Sequence, residues 1–215
     1  MNFTSDVKKE IISRKIAGNA EKKAALSAFV RTSGQLFAEE GKPGFRIVTE
    51  TENVAEFFTS LFSELFGGEL SVARASVDRM SGRGKLSLEC PPRLREKVLK
   101  ELGFLRRSGG FAAGISARIV PDAACALAYV KGAFLGGGSC ILPGGEGGKT
   151  GYHLEFVFPE KRAAADFCRL LEENDLLAKR VQRKDTAVVY IKSKETISDF
   201  LAAVGAENAL RRFSG

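Results

Sequence analysis

The stretch AACALAYVKGAFLGGGS, Ala123–Ser139, decides how this chain folds. It is a run of small and apolar residues that closes on Gly136, Gly137 and Gly138. Consecutive glycines cost a helix interior roughly 1 kcal/mol each relative to alanine, so the run predicts a helix with a built-in stop. Ala128, Gly132 and Ala133, at separations of four and one, leave one face without bulk, against which a second helix can pack closely. That partner lies upstream in ALSAFVRTSGQ, Ala25–Gln35. Ala28 stands where the later run has Gly132, and Gly34 where it has Gly138, both 104 residues apart (132 − 28 and 138 − 34). The chain is therefore read as a duplicated unit.

Its 215 residues, 44% hydrophobic and 27% charged, are enough for one large core or two of about 100 residues each, which excludes disordered and fibrous classes. Asp122 and Lys131 interrupt the best apolar stretch before it reaches the roughly 18 residues a membrane helix needs. The opening MNFTSDVKKE has no apolar leader segment, so a cytoplasmic location without membrane partners is expected. Cys90, Cys125, Cys140 and Cys168 lie far apart, and His153 is the single histidine, so buried reduced thiols are expected and no metal or other cofactor. A formal charge of +7 suits a polyanionic partner, although many soluble chains carry such a charge only to stay dispersed.

In chain order, residues 2–17 predict a short helix capped by Thr4 or Ser5, with Val7, Ile11 and Ile12 on one side. Then come a small-residue helix over 21–33 and a hairpin of Gln35–Glu40 and Phe45–Thr51 turning at Gly41–Gly44. In NVAEFFTSLFSELFG, Val54, Phe57, Phe58, Leu61, Phe62 and Leu65 follow helical spacing, which makes Phe57, Phe58, Phe62 and Phe66 core residues, not a stacking platform. Strands Leu70–Val77 and Lys85–Cys90 follow, then the helix PPRLREKVLKELG, started by proline and ended by Gly103. Residues 104–121 lack a clear period and are expected to be a connector. After it the order recurs: helix 122–136, strands near 138–142 and 151–158, helix 160–174, strands 177–183 and 186–192, helix 194–205. The closing segments 86–103 and 188–205 align without a gap. The expected architecture is α+β: an N-terminal helix over 1–20 and two pseudo-symmetric αββαββα repeats, 21–103 and 122–215, presenting a saddle-shaped antiparallel sheet surface.

This arrangement resembles the LAGLIDADG homing endonucleases, whose motif sets a helix at the repeat interface and a metal-binding carboxylate at its end. Here Ser33 and Gly137 occupy those two places. Neither offers the anionic oxygen that metal-assisted phosphodiester cleavage requires, so no nuclease activity and no catalytic residue is expected. A second, narrower resemblance covers nearly the whole chain. FTSDVKKE at 3–10, RTSGQL at 31–36, TEN at 51–53, AYVKGAFLGGGS at 128–139, YHLEFVFP at 152–159 and YIKSKETISDFLAAVGA at 190–206 resemble, in order, the N-terminal portion of the WhiA family of bacterial transcriptional regulators. That resemblance implies a degenerate LAGLIDADG domain in a DNA-binding regulator of sporulation and cell division, cytoplasmic and nucleoid-associated. The chain stops where the family's linker to a helix-turn-helix domain would begin, so the principal DNA-reading module is expected to lie outside these residues. Members usually reach the YHLE strand through a short acidic turn, whereas this chain has the glycine-rich ILPGGEGGKTG, 141–151.

Gly148-Lys149-Thr150 matches the end of a phosphate-binding loop, but Pro143 stands at its first position and a strand follows instead of a helix, which favours a plain hairpin loop. Gly136-Gly137-Gly138 is likewise better read as a helix stop than as a nucleotide loop. Strand alternation sends Arg46 away from Phe45 and Ile47, and Lys85 away from Leu86 and Leu88. Arg74, Arg79 and Arg83 lie on or beside one hairpin turn, and Arg180, Arg183 and Lys184 occupy the corresponding place in the second repeat. These eight residues are the candidates for contact with a DNA backbone. His153 has Glu155 on its strand face but no third partner, so it is given no catalytic role. The expectation is a non-catalytic auxiliary DNA-contacting or scaffold module that also meets other regulator proteins. The competing class is a nuclease with displaced metal ligands.

Overall fold

The computed structural model describes residues 2–77, 84–144 and 151–214, without the side chains of residues 74 and 75. The order is α1 (Phe3–Ser13), α2 (Asn19–Ser33), β1 (Gly34–Glu39), β2 (Lys42–Thr49), α3 (Glu52–Phe66), β3 (Ser71–Val77), β4 (Gly84–Glu89), a 3-10 turn at Pro92–Leu94 and α4 (Arg95–Glu101). The same sequence of elements returns as α5 (Ala123–Gly137), β5 (Gly138–Ile141), β6 (His153–Phe158), α6 (Lys161–Glu173), β7 (Lys179–Gln182), β8 (Ala187–Ile191) and α7 (Lys194–Ala203). A final helix, α8 (Glu207–Ser214), follows. Two four-stranded antiparallel sheets result, ordered β1-β2-β4-β3 and β5-β6-β8-β7.

The axial helices α2 and α5 meet because nothing stands between them. A Cβ on Gly132 would lie 2.1 Å from the Ala25 carbonyl oxygen, and one on Gly136 would lie 2.0 Å from Thr32 Oγ1. The glycine tract does not break α5 at its first residue, as the propensity alone predicts. Packing against α2 carries the helix through Gly137, and tertiary contact overrides a local preference of a few kcal/mol. Both helices then end alike, Gly34 at φ −88°, ψ 149° and Gly138 at φ −94°, ψ 151°, each passing directly into a strand.

Each sheet turns one face to the core. Phe45, Ile47 and Leu88 in the first, and Leu154, Phe156, Phe158, Val189 and Ile191 in the second, are buried under α3 and α6. Phe29 stacks on Phe58 at 3.8 Å, and Phe134, Phe156, Phe167 and Phe200 form a contiguous aromatic cluster in the second unit. Phe58 and Phe62 are buried as expected, whereas Phe57 and Phe66 are only partly covered.

Several sequence expectations need correction. The β1–β2 turn is Glu40-Gly41, both with positive φ (52° and 76°), the tight two-residue turn that suits a right-twisted hairpin. Lys42, Pro43 and Gly44 already belong to β2; β4 pairs only from Arg46 onward, so the missing Pro43 N–H interrupts no ladder there. The cap of α1 is Asn2, whose side chain accepts from Ser5 N. Thr4 instead bridges to β5, its hydroxyl donating to Cys140 O and accepting from Cys140 N. The connector is tied down by polar contacts: Arg31 donates to Ala112 O, Gly114 N to Glu160 and Ile115 N to Asp166. Burial of Arg31 against Phe104 lowers its pKa. Helix α8 has no counterpart in the sequence reading. It is clasped to α1 by Glu10, which accepts from Asn208 N and Ala209 N, and by the Asp6–Arg212 ion pair.

Cys90, Cys125 and Cys140 are buried, and desolvation pushes their thiols up to about 12, 11 and 12; Cys168 is only half-buried. Among the described residues no three His, Cys, Asp or Glu side chains come together as a metal-binding group, and no helix is long and apolar enough to cross a membrane.

Candidate nucleic-acid interface

The face of each sheet opposite its buried side chains is its open face, and residues of both sheets border hollows at the C-terminal ends of α2 and α5. A polar cleft of about 390 Å³ opens there, lined by Thr32, Ser33, Gln35, Glu50, Lys8 and Lys85 among others. A neighbouring hollow continues it along Ser139, Ile141 and Val157 of the second sheet. Ser33, at the first of the two expected acid positions, donates its hydroxyl hydrogen to Gly136 O at 2.8 Å, so it serves the helix interface. At the second, a Cβ on Gly137 would lie 2.6 Å from Val157 O. That position is sterically closed to a carboxylate unless β6 moves. Glu50 is the carboxylate in the cleft lining, on the segment between β2 and α3.

On the first sheet Arg46 lies on the open face, as alternation requires. It is not a free cation: its Nε and Nη2 both donate to Glu89 Oε1, at 3.1 and 2.9 Å, in register across the β2–β4 ladder. Arg95 from α4 pairs with Glu39 at 2.8 Å, and both arginines approach the Phe37 ring. Lys85 borders the central cleft, and Arg74 is paired in register with Ser87. Arg79 and Arg83 lie outside the described residues, as does Gly148-Lys149-Thr150.

On the second sheet the expected basic cluster divides. Arg180 pairs in register with Val189, a core-facing residue, and borders a hollow with Cys168 and Lys161 of α6; it sits on the helix side and not on the open face. Strand β7 begins at Lys179, and the two-residue period therefore puts Lys179 and Val181 on the open face and Arg180 opposite. Arg183 and Lys184 are exposed in the β7–β8 hairpin, with Arg183 Nη2 3.6 Å from Glu155 Oε2. Sequence reasoning missed Lys8, Lys179 and Lys192. Lys179 was legible from the alternation already applied to Arg46, but Lys8 was not, because only the docking of α1 beside β5 brings it to the cleft.

Two family models match the chain, one for each unit of this geometry. The model described as the WhiA N-terminal LAGLIDADG-like domain matches residues 19–105, and the one described as the WhiA LAGLIDADG-like domain matches residues 126–215. The chain belongs to the WhiA family. Similar relatives include a probable cell division protein WhiA of Staphylococcus haemolyticus, 32% identical over 214 residues, and one of Brevibacillus brevis, 33% identical over 217. Each alignment covers 99% of this chain and 66% of the relative, so the chain spans just under two thirds of their length. Among solved structures, full-length DUF199/WhiA from Thermatoga maritima superposes with a TM-score of 0.74 at 20% identity, covering 100% of this chain and 65% of that one. The homing endonuclease I-DmoI in complex with DNA and Mn gives 0.53 at 15% identity, covering 87% of this chain and 97% of that one. These likenesses establish the WhiA-type LAGLIDADG fold expected from the two axial helices.

Proposed function

We propose that this WhiA-family chain is a LAGLIDADG-like module of a DNA-binding transcriptional regulator of sporulation and cell-division genes, cytoplasmic and nucleoid-associated, that contacts DNA without cutting it. The observation that carries the reading is the pair of axial helix ends: a serine hydroxyl committed to Gly136 O at one, and at the other a glycine whose Cβ would strike Val157 O. Neither helix end supplies the anionic ligand that metal-assisted hydrolysis depends on. Lys8 and Lys85 beside the cleft and Lys179, Arg183, Lys184 and Lys192 on the second sheet supply cations for phosphate. Such contacts position a module on DNA without reading sequence.

The test is a gel-shift titration of the 215-residue chain on duplex DNA across a salt series. Binding that weakens steeply with salt is expected, because each neutralised phosphate releases counterions. Salt-independent binding, or none at tens of micromolar, contradicts the DNA contact. The second result favours a scaffold that meets other regulators, a reading supported by the closed Arg46–Glu89 and Arg95–Glu39 pairs, which neutralise one cation of the first sheet and one of α4 beside it.

A further inference from the structure

The core-facing sides of α3 and α6 are spaced alike. Val54, Ala55, Phe58, Leu61 and Phe62 are buried in one helix, and Ala163, Ala164, Phe167, Leu170 and Leu171 in the other, each 109 residues on (163 − 54 through 171 − 62). The same offset matches the flanking residues Asn53 with Arg162 and Phe57 with Asp166. In the second unit this flank is covered. The connector lies over it as irregular chain, with Ile115 N donating to Asp166 at 2.9 Å and Gly114 N to Glu160 at 3.2 Å. The approach is close enough that a Cβ on Gly114 would lie 2.3 Å from Asp166 Oδ2.

In the first unit the matching flank borders a hollow of about 920 Å³ between α3 and α1. Half-buried Ile12, Ile16 and Phe57 line it, so an aromatic ring holds the place where the second unit has a carboxylate receiving a backbone N–H. Along α3 the hollow runs from Asn53 to Glu64, three turns or about 16 Å. Lys9, Lys15 and Lys22 stand on the opposite side, contributed by α1, the segment after it and the start of α2. Glu64 meets Lys22 at 2.8 Å, and that hydrogen bond, with the charges of Lys22 and Lys15, holds its carboxyl below the ordinary carboxylate range.

These features select the occupant. The second unit shows that this flank of the helix accepts a length of irregular chain. Three half-buried apolar side chains gain from apolar side chains laid on them. Among the described residues the lining holds three lysines and two glutamates, and one glutamate is already paired, so acidic residues complement the lysine side. A second copy of this chain, at +7, is repelled, and duplex DNA offers no apolar surface to Phe57 while its phosphates meet Glu56 and Glu64.

We propose that the hollow between α1 and α3 docks a short segment of a partner protein, apolar where it meets Ile12, Ile16 and Phe57 and acidic along the lysine side. It goes beyond the DNA contact proposed above and does not depend on it. The second unit has no equivalent, because its own connector occupies the corresponding flank.

Panning a phage library of random peptides of about twelve residues against the parent chain tests this, with the selected peptides then titrated by fluorescence anisotropy. Enrichment is expected for peptides that combine leucine, isoleucine or phenylalanine with aspartate or glutamate. Phe57→Asp, which gives the first unit the residue type found at Asp166, should weaken them roughly tenfold, as loss of a central apolar anchor does. Lys15→Glu, an exposed substitution, should weaken them about threefold, with the loss fading at high salt. It decides alone should Phe57→Asp not fold. Lys97→Glu, equally exposed on α4, should leave binding unchanged. No enrichment, enrichment of basic peptides, or binding that survives Phe57→Asp and Lys15→Glu overturns the docking site. An equal loss with Lys97→Glu overturns it in favour of general charge attraction, and displacement by duplex DNA in favour of a phosphate site.

Discussion

The two units of this molecule match where their backbones touch and differ where their side chains face solvent. Gly34 and Gly138 end the axial helices within a few degrees of the same φ and ψ, and each opens the first strand of its sheet. Away from the axis the match lapses. Helix α5 is capped by Asp122, which accepts from Cys125 N, whereas α2 starts at Gly18 with no side-chain cap. The centre of the first open face is an arginine closed by a glutamate; that of the second is a glutamate beside a tyrosine. Close helix contact tolerates almost no change of volume, so it holds the duplication in place. An open sheet face is free to diverge, and that is where a difference in role is to be sought.

Substitutions in the second core sharpen this contrast most. Phe156 touches the Phe134, Phe167 and Phe200 rings, and Phe156→Ala is expected to cost about 4 kcal/mol in a urea melt. Ile47→Val, at the equivalent place in the first sheet, is expected to cost about 1 kcal/mol. Gly132→Val pushes a branched side chain into the Ala25 carbonyl and is expected to cost about 3 kcal/mol, unfolding both units together. A melt in which only the second unit is lost would break the idea of a shared axis.

Smaller effects separate the two open faces. Glu89→Gln releases Arg46 from its ion pair, and DNA affinity at low salt should rise about threefold, with a steeper salt slope. Unchanged affinity would mean that the first sheet stays clear of DNA. The Asp122 cap gives the smallest change. Hydrogen bonds from the Cys125 backbone hold its carboxyl below the ordinary 3.8. Its contribution is therefore present above that value and lost as pH falls through the lower folded one. The Tm difference between parent and Asp122→Ala should be constant near neutrality and shrink in acid. A difference that persists at the acid end would remove the cap as its cause.

Most of the fold is legible in the sequence because the repeat is carried by residues with few alternatives. Gly132, Gly34 and Gly138 are dictated by backbone contact, and β6 alternates strictly, burying Leu154, Phe156 and Phe158. The turn at Glu40-Gly41 is easily misplaced because Pro43 and Gly44 look like turn residues while serving in a strand whose neighbour stops short of them. Helix α8 escapes the sequence because Ala209 and Phe213 have meaning only against α1 and Tyr152. The candidate site is less legible. Alternation places Arg46 and Lys85, but it does not show that Arg46 is already paired, and proximity without register puts Arg180 on the wrong face of its strand. Ion pairs across ladders and the docking of α1 depend on contacts between distant residues, which no local pattern encodes.

The most direct test incubates the chain with supercoiled plasmid in Mg²⁺ and runs each sample on a gel before and after the protein is stripped with detergent. Binding without cleavage predicts retarded plasmid before stripping and fully supercoiled plasmid afterwards. Open circles after stripping would contradict the account, showing that ligands other than Ser33 and Gly137 complete a cutting site.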